Sequence, residues 1–152
     1  MDQRGCVHES AAAARLGRQT KSRLRLSATA KLFLALGGIN AALVVMLGAF
    51  GAHGLKARLS VDMLVVYQTG VHYHLFHALG LLVVGLVATQ ISDSAYLRWS
   101  GWLMLIGIML FSGSLYVLSV TGVRWLGAIT PFGGVSFIAA WLLFVVALFK
   151  TT

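Results

Sequence analysis

Tyr67-Gln68-Thr69-Gly70-Val71-His72-Tyr73-His74-Leu75-Phe76-His77 leads straight into the apolar run Leu79 to Ala88. Three of the chain's five histidines lie in this stretch. Titratable side chains carried into a hydrophobic segment of membrane length are costly, so the stretch marks a membrane helix and is also where chemistry is to be sought.

Working outward, 59% of the 152 residues are hydrophobic and only 11% charged. A soluble domain of this length needs more charge to cover its surface, so the bilayer is the solvent to reason with. Apolar runs place spans at residues 32–52, 70–91, 99–120 and 131–149, each near the ~20 residues that cross a hydrocarbon layer. The connections are short, which makes sequence neighbours antiparallel neighbours. The expected fold is an all-α integral membrane protein, an antiparallel four-helix transmembrane bundle over residues 31–150. Ser60 with Asp62 in the first turn predicts a helix start near Val61. Thr130 before Pro131 predicts a capped start for the fourth helix, with Leu126 to Ile129 as its interfacial approach.

Residues 1–30 read as a basic, disordered or weakly helical cytoplasmic tail, in which Leu16, Leu24 and Leu26 can lie in the head-group layer. The tail holds the single cysteine, Cys6, which has no internal disulfide partner. The run from Leu32 is too long for the ~7–15 residues of a signal-peptide core, so the first span is read as retained. Seven cations precede that run, from Arg4 to Lys31, and their pattern fits anionic lipid rather than nucleic acid. With the tail inside, nine cations lie inside and Lys56, Arg58 and Arg124 outside, which puts both termini in the cytoplasm.

Helices in lipid associate through close backbone approach and interhelical hydrogen bonds. Small residues therefore mark contact faces: Gly37, Ala41, Gly48 and Ala52 on the first span with Asn40 beside them; Gly70, Gly85 and Ala88 on the second; Gly101, Ser112 and Ser119 with Tyr116 on the third. Gly51, Gly113, Gly133 and Gly134 are read as packing positions too. His74 and His77 share the face of Gly70 and point inward, whereas His72 points to water or a head group.

An imidazole inside the membrane must find a partner. His77 can serve as a proton relay or as an axial ligand to haem or a metal. The ordinary reading, which we prefer, is a neutral ring hydrogen-bonded to Asn40, Ser112, Thr130 or a carbonyl. His74 and His77 stand three apart and can chelate, with His53 at the same outer end. A regular first helix, however, aims His53 away from the small-residue stripe, and only a break at Gly51 or Gly54 turns it inward. No cysteine or carboxylate joins them in the spans, so no metal or cofactor is expected. Asp62 and Asp93 lie in connections, which argues against a proton-driven cation exporter but not against a passive pore or lipid handling. Thr130-Pro131-Phe132-Gly133-Gly134 offers amides to an anion or is simply a helix start, the reading preferred here. Ser112-Gly113-Ser114 lacks a triad and reads as packing.

Gly48-Ala49-Phe50-Gly51-Ala52-His53-Gly54, Gln68-Thr69-Gly70 with Tyr73 and Phe76-His77, Leu110 to Tyr116, and Ile129 to Phe137 together resemble the YgdD-like family (DUF423, UPF0382) of small inner-membrane proteins of unknown function. Four motifs in order make the resemblance specific. It implies four membrane helices and an inner-membrane location, and it brings no established activity. Matching positions include His53 and His77 but not His72 or His74, and the basic tail departs from the family.

The expected role is a small structural or interaction subunit without catalysis. It would meet the lipid bilayer and other membrane proteins or itself, and no nucleic acid. The alternative is a small transporter or lipid-handling protein using an outer-side polar pocket around His53, His77 and Thr130. A haem protein ligated through His77 is a distant third.

Overall fold

The computed structural model describes residues 26–91 and 94–150, and the regular secondary structure among them is helical. Helix α1 (Ala28–Phe50) runs on through a π-turn, Gly51–Leu55; α2 is Val61–Val87. The third helical stretch is α3 (Ala95–Gly107), a π-turn at Ile108–Ser112, and α4 (Gly113–Thr121). A 3₁₀ turn at Arg124–Ala128 leads into α5 (Thr130–Phe149). Four stretches among the described residues, Ala28–Leu55, Val61–Val87, Ala95–Thr121 and Arg124–Phe149, are long and apolar enough to cross a membrane. At 1.5 Å per residue each is about 40 Å long, so their ends stand outside a hydrocarbon layer of ~30 Å. The four-helix membrane bundle expected from the apolar runs is the observed architecture. The tail reading for residues 1–25, and Asp93, lie outside the described residues.

Local chemistry sets the ends. Ser27 Oγ accepts the Ala30 amide at 3.0 Å and donates to the Ala88 carbonyl at 3.2 Å. One hydroxyl thus caps α1 and ties its start to the end of α2, so α1 begins before the apolar run that marks it. Ser60 Oγ accepts the Met63 amide and α2 starts at Val61, with Asp62 in its first turn. Helix α4 stops where Gly122 takes φ 72°, a left-handed position that glycine occupies at no steric cost. Helix α5 starts at Thr130, but Thr130 does not cap it. Ile129 holds the capping position without a side-chain bond, and the Thr130 hydroxyl turns to Ser114.

The closest pairings are α1 with α2 and α3 with α5, and α2 packs against the whole third stretch. Glycine makes them close. An added Cβ on Gly37 would stand 2.8 Å from the Leu82 amide nitrogen, and one on Gly85 2.8 Å from that of Leu34, so α1 and α2 meet backbone to backbone. The Phe33 ring lies over Gly101, the Phe137 ring over Gly107, and the Phe111 backbone against Gly133. These rings and Leu81, Val84 and Met104 form the buried core.

Of the glycines expected to pack, Gly37, Gly51, Gly70, Gly85, Gly101 and Gly133 do so tightly. Gly48, Gly113 and Gly134 have nothing nearer than ordinary van der Waals contact. Gly80 and Gly107, which the small-residue stripes omit, are tight contacts against Met104 and Phe137. Gly107 lies six residues beyond Gly101 in the same regular helix, about 120° round from it, which is why a narrow stripe through Gly101 misses it.

Replacing Gly133 with Ala drives a methyl into the Phe111 backbone and is expected to cost about 1–3 kcal/mol. Gly38→Ala, where no atom lies within 4 Å, leaves stability unchanged or slightly raised. Thermal denaturation of both variants in detergent checks this, and equal melting temperatures would contradict the packing.

Candidate functional site

Helix α2 turns Tyr67, Gly70, His74 and His77 to the interior, at the 3–4 residue spacing of one helical face. The two histidines then diverge. His74 Nε2 stands 3.1 Å from Asn40 Oδ1 on α1, and its Nδ1 stands 3.3 Å from the Tyr116 hydroxyl on α4. The Asn40 amide nitrogen donates to the Leu36 carbonyl at 2.8 Å. That carbonyl fixes which way the amide faces, so Asn40 offers His74 an oxygen. A neutral ring answers with Nε2–H as donor and Nδ1 as acceptor from Tyr116. Every group in the chain Tyr116, His74, Asn40, Leu36 has a complementary partner.

His77 is satisfied differently. Its Nδ1–H donates to the Tyr73 carbonyl one turn back, at 2.7 Å, and its Nε2 accepts the Trp141 indole N–H at 3.3 Å. The ring stacks on Phe137 with centroids 3.4 Å apart and planes 12° from parallel. A neutral imidazole with the proton on Nδ1 meets both demands. Of the partners the sequence offers, a carbonyl is the one used; Asn40 belongs to His74, Thr130 to Ser114, and the second partner is an indole. Because the His74 and His77 nitrogens engage different helices, the i, i+3 pair does not form a chelate.

Further bonds complete a lattice across the bundle. The Tyr67 hydroxyl donates to the Leu47 carbonyl at 2.8 Å, where α1 gives way to its π-turn, and the Tyr67 and Tyr116 ring centroids are 5.0 Å apart. Gly51 makes room for the Tyr67 ring, where a methyl would collide. Ser114 Oγ donates to the Phe111 carbonyl and accepts from Thr130 Oγ1, both at 2.9 Å. Ser136 Oγ donates across to the Leu103 carbonyl at 2.8 Å. Ser100 and Ser112 are buried with no hydrogen-bond partner among the described residues; their small size serves close packing.

The outer pocket expected around His53, His77 and Thr130 is not assembled. The helix does not break at Gly51 but continues through a π-turn, and His53 stays exposed. His77 faces Trp141 and Thr130 faces Ser114. A cavity of about 290 Å³ lies elsewhere, between the end of α1 and the start of α2, lined by Gly48, Gly51, Ala52, Tyr67, Gln68, Val71 and His72. The sequence reading missed Trp141 and Gln68. An indole N–H ten residues into an apolar helix demands an acceptor, and that signal would have paired Trp141 with a histidine.

The family model described as "Protein of unknown function (DUF423)" matches residues 47–134. The chain is 56% identical to the UPF0382 membrane protein YwdK of Bacillus subtilis over 120 residues, covering 79% of this chain and 98% of the relative. It is 49% identical to a UPF0382 membrane protein of Staphylococcus epidermidis (79% and 97% covered) and 46% to one of Staphylococcus aureus (79% and 97%). No solved structure matches the chain.

If His74 and Asn40 are direct partners, a double-mutant cycle of His74→Phe and Asn40→Leu returns a coupling of about 0.6–1.7 kcal/mol, the range of hydrogen bonds inside membrane bundles. Additive losses of stability in detergent would show the two side chains to be independent.

Proposed function

The chain belongs to the DUF423 (UPF0382) family of membrane proteins, and on that premise we propose that it is a small structural or interaction subunit of the bacterial inner membrane, with both termini in the cytoplasm and no catalytic step. One observation carries the reading. Both ring nitrogens of His74 and of His77 have complementary protein partners, so the titratable groups deep in the bundle are engaged in joining helices. An axial ligand needs a ring nitrogen whose lone pair is free for a metal. The glycines on inward faces are used within the chain, so association falls to outward faces. Gly38, Ala42 and Ala49 form such a face on α1, exposed along their whole length.

The orientation rests on charge. Lys31, Arg98 and Lys150 stand at one end of the bundle, where Lys150 Nζ reaches the Tyr96 hydroxyl at 3.3 Å; Lys56, Arg58 and Arg124 stand at the other. These balance, and the six tail cations before Lys31 tip the first end inward.

His77→Ala is expected to lower stability by about 2–4 kcal/mol through lost packing on Phe137 and two unpaired partners. His77→Gln, which keeps one donor and one acceptor, recovers part of the loss in the same detergent melt. Unchanged stability in both variants, with loss of a metal, haem or proton-coupled ligand that the wild type binds, would overturn the structural role.

In intact spheroplasts an impermeant maleimide is expected to label Lys56→Cys, made in a Cys6→Ser background, and to spare Cys6 of the wild type. The opposite pattern inverts the orientation.

A further inference from the structure

The cavity between α1 and α2 holds two polar side chains that the bundle does not use. Gln68 and His72 are exposed, line the cavity, and hydrogen-bond no other group among the described residues. Their depth is informative. The apolar span of α2 begins at Val61, so Gln68 and His72 lie about two and three turns inside its outer end. On the opposite wall Gly48 to Ala52 are the last turn of the apolar stretch of α1. The cavity therefore opens near the head-group end of both spans, where water thins out and phosphodiester and ester oxygens are the abundant acceptors.

The chemistry of the surroundings has two parts, in the order of a phospholipid. Above the cavity the chain leaves the π-turn through exposed Lys56 and Arg58. Within it, Gln68 offers amide donors and His72 a ring N–H. Below, the same stripe of α2 continues through exposed Leu75, Leu79, Val83 and Leu86, apolar throughout. The volume of about 290 Å³ stands at the small end of the ~300–1,000 Å³ typical of ligand sites, which fits a head group and leaves acyl chains outside along that stripe. Gly48 and Gly51 create the space, since side chains there would project toward Val71 and Tyr67.

We propose that this groove is a phospholipid site: Gln68 and His72 donate to the phosphodiester, Lys56 and Arg58 attract its charge, and the acyl chains lie on the α2 stripe below. A free anion has no use for the apolar stripe. A second copy of the chain would have to bring an acceptor pair to this depth.

The test uses full-length protein in maltoside micelles, titrated with dihexanoylphosphatidylglycerol and followed by native mass spectrometry and thermal shift. Inorganic phosphate and dihexanoylglycerol serve as separate arms. The wild type is expected to form a one-lipid adduct and to melt higher with the phospholipid, and to do neither with the other two. The double variant Gln68→Leu, His72→Leu is expected to bind about tenfold or more weakly, the loss of at least one hydrogen bond to a charged group. Ala52→Leu, which fills the groove from its exposed rim, weakens binding to a similar degree. Without lipid both variants melt as the wild type does. The proposal falls if both variants bind as the wild type does, if inorganic phosphate or dihexanoylglycerol stabilises equally, if the groove is closed by a second copy in a lipid-free dimer, or if either variant loses stability without lipid.

Discussion

Inside hydrocarbon a hydroxyl, imidazole or indole N–H has no water to turn to, and an unmet group there costs several kcal/mol. Most of the tertiary geometry of this chain follows from meeting that demand. Ser27 holds the start of α1 to the end of α2, Asn40 and Tyr116 close on His74, Trp141 closes on His77, Ser114 meets Thr130, and Ser136 reaches the Leu103 carbonyl. Between them these bonds join each helical stretch to the next. Their individual strengths are modest, about 0.6 kcal/mol on average in membrane bundles, but their geometry leaves little choice of register.

Such bonds form only if the backbones come near, and the glycines bring them near. Gly37 and Gly85 let α1 and α2 touch along their backbones, which brings Asn40 within reach of His74 one turn further on. Gly107 and Gly133 seat the third stretch against α5 with the Phe137 ring between, and His77 stacks on that ring. Polar satisfaction and close packing therefore act on the same residues. The two π-turns belong to this economy: one ends α1 where the Leu47 carbonyl receives Tyr67, and the other re-phases the third stretch so that Gly107, Ser112 and Leu115 all stay buried.

How much was legible depended on whether the deciding forces were local. The spans could be read because apolar length against bilayer thickness is a property of consecutive residues. The Ser60 cap could be read for the same reason. Thr130 misled, because a threonine before proline is a good local cap, yet its hydroxyl found a better partner sixteen residues earlier in the chain. A break at Gly51 was the condition for turning His53 inward; the helix instead continues through a π-turn and His53 stays outside. Trp141 and the groove at Gln68 and His72 depend on two helices coming together, and neither helix carries that information alone.

The sequence by itself determined the solvent of this protein, the number of crossings and the fact that two histidines must be buried. Each of these follows from transfer free energies and from the 3.6-residue period, which are summed along one segment. Only the tertiary structure decided which partner each buried polar group takes. It also decided the tautomer each ring adopts and where the bundle leaves a gap. Those choices are made by distances of about 3 Å between residues far apart in the chain, set by glycines on one helix accepting the backbone or ring of another.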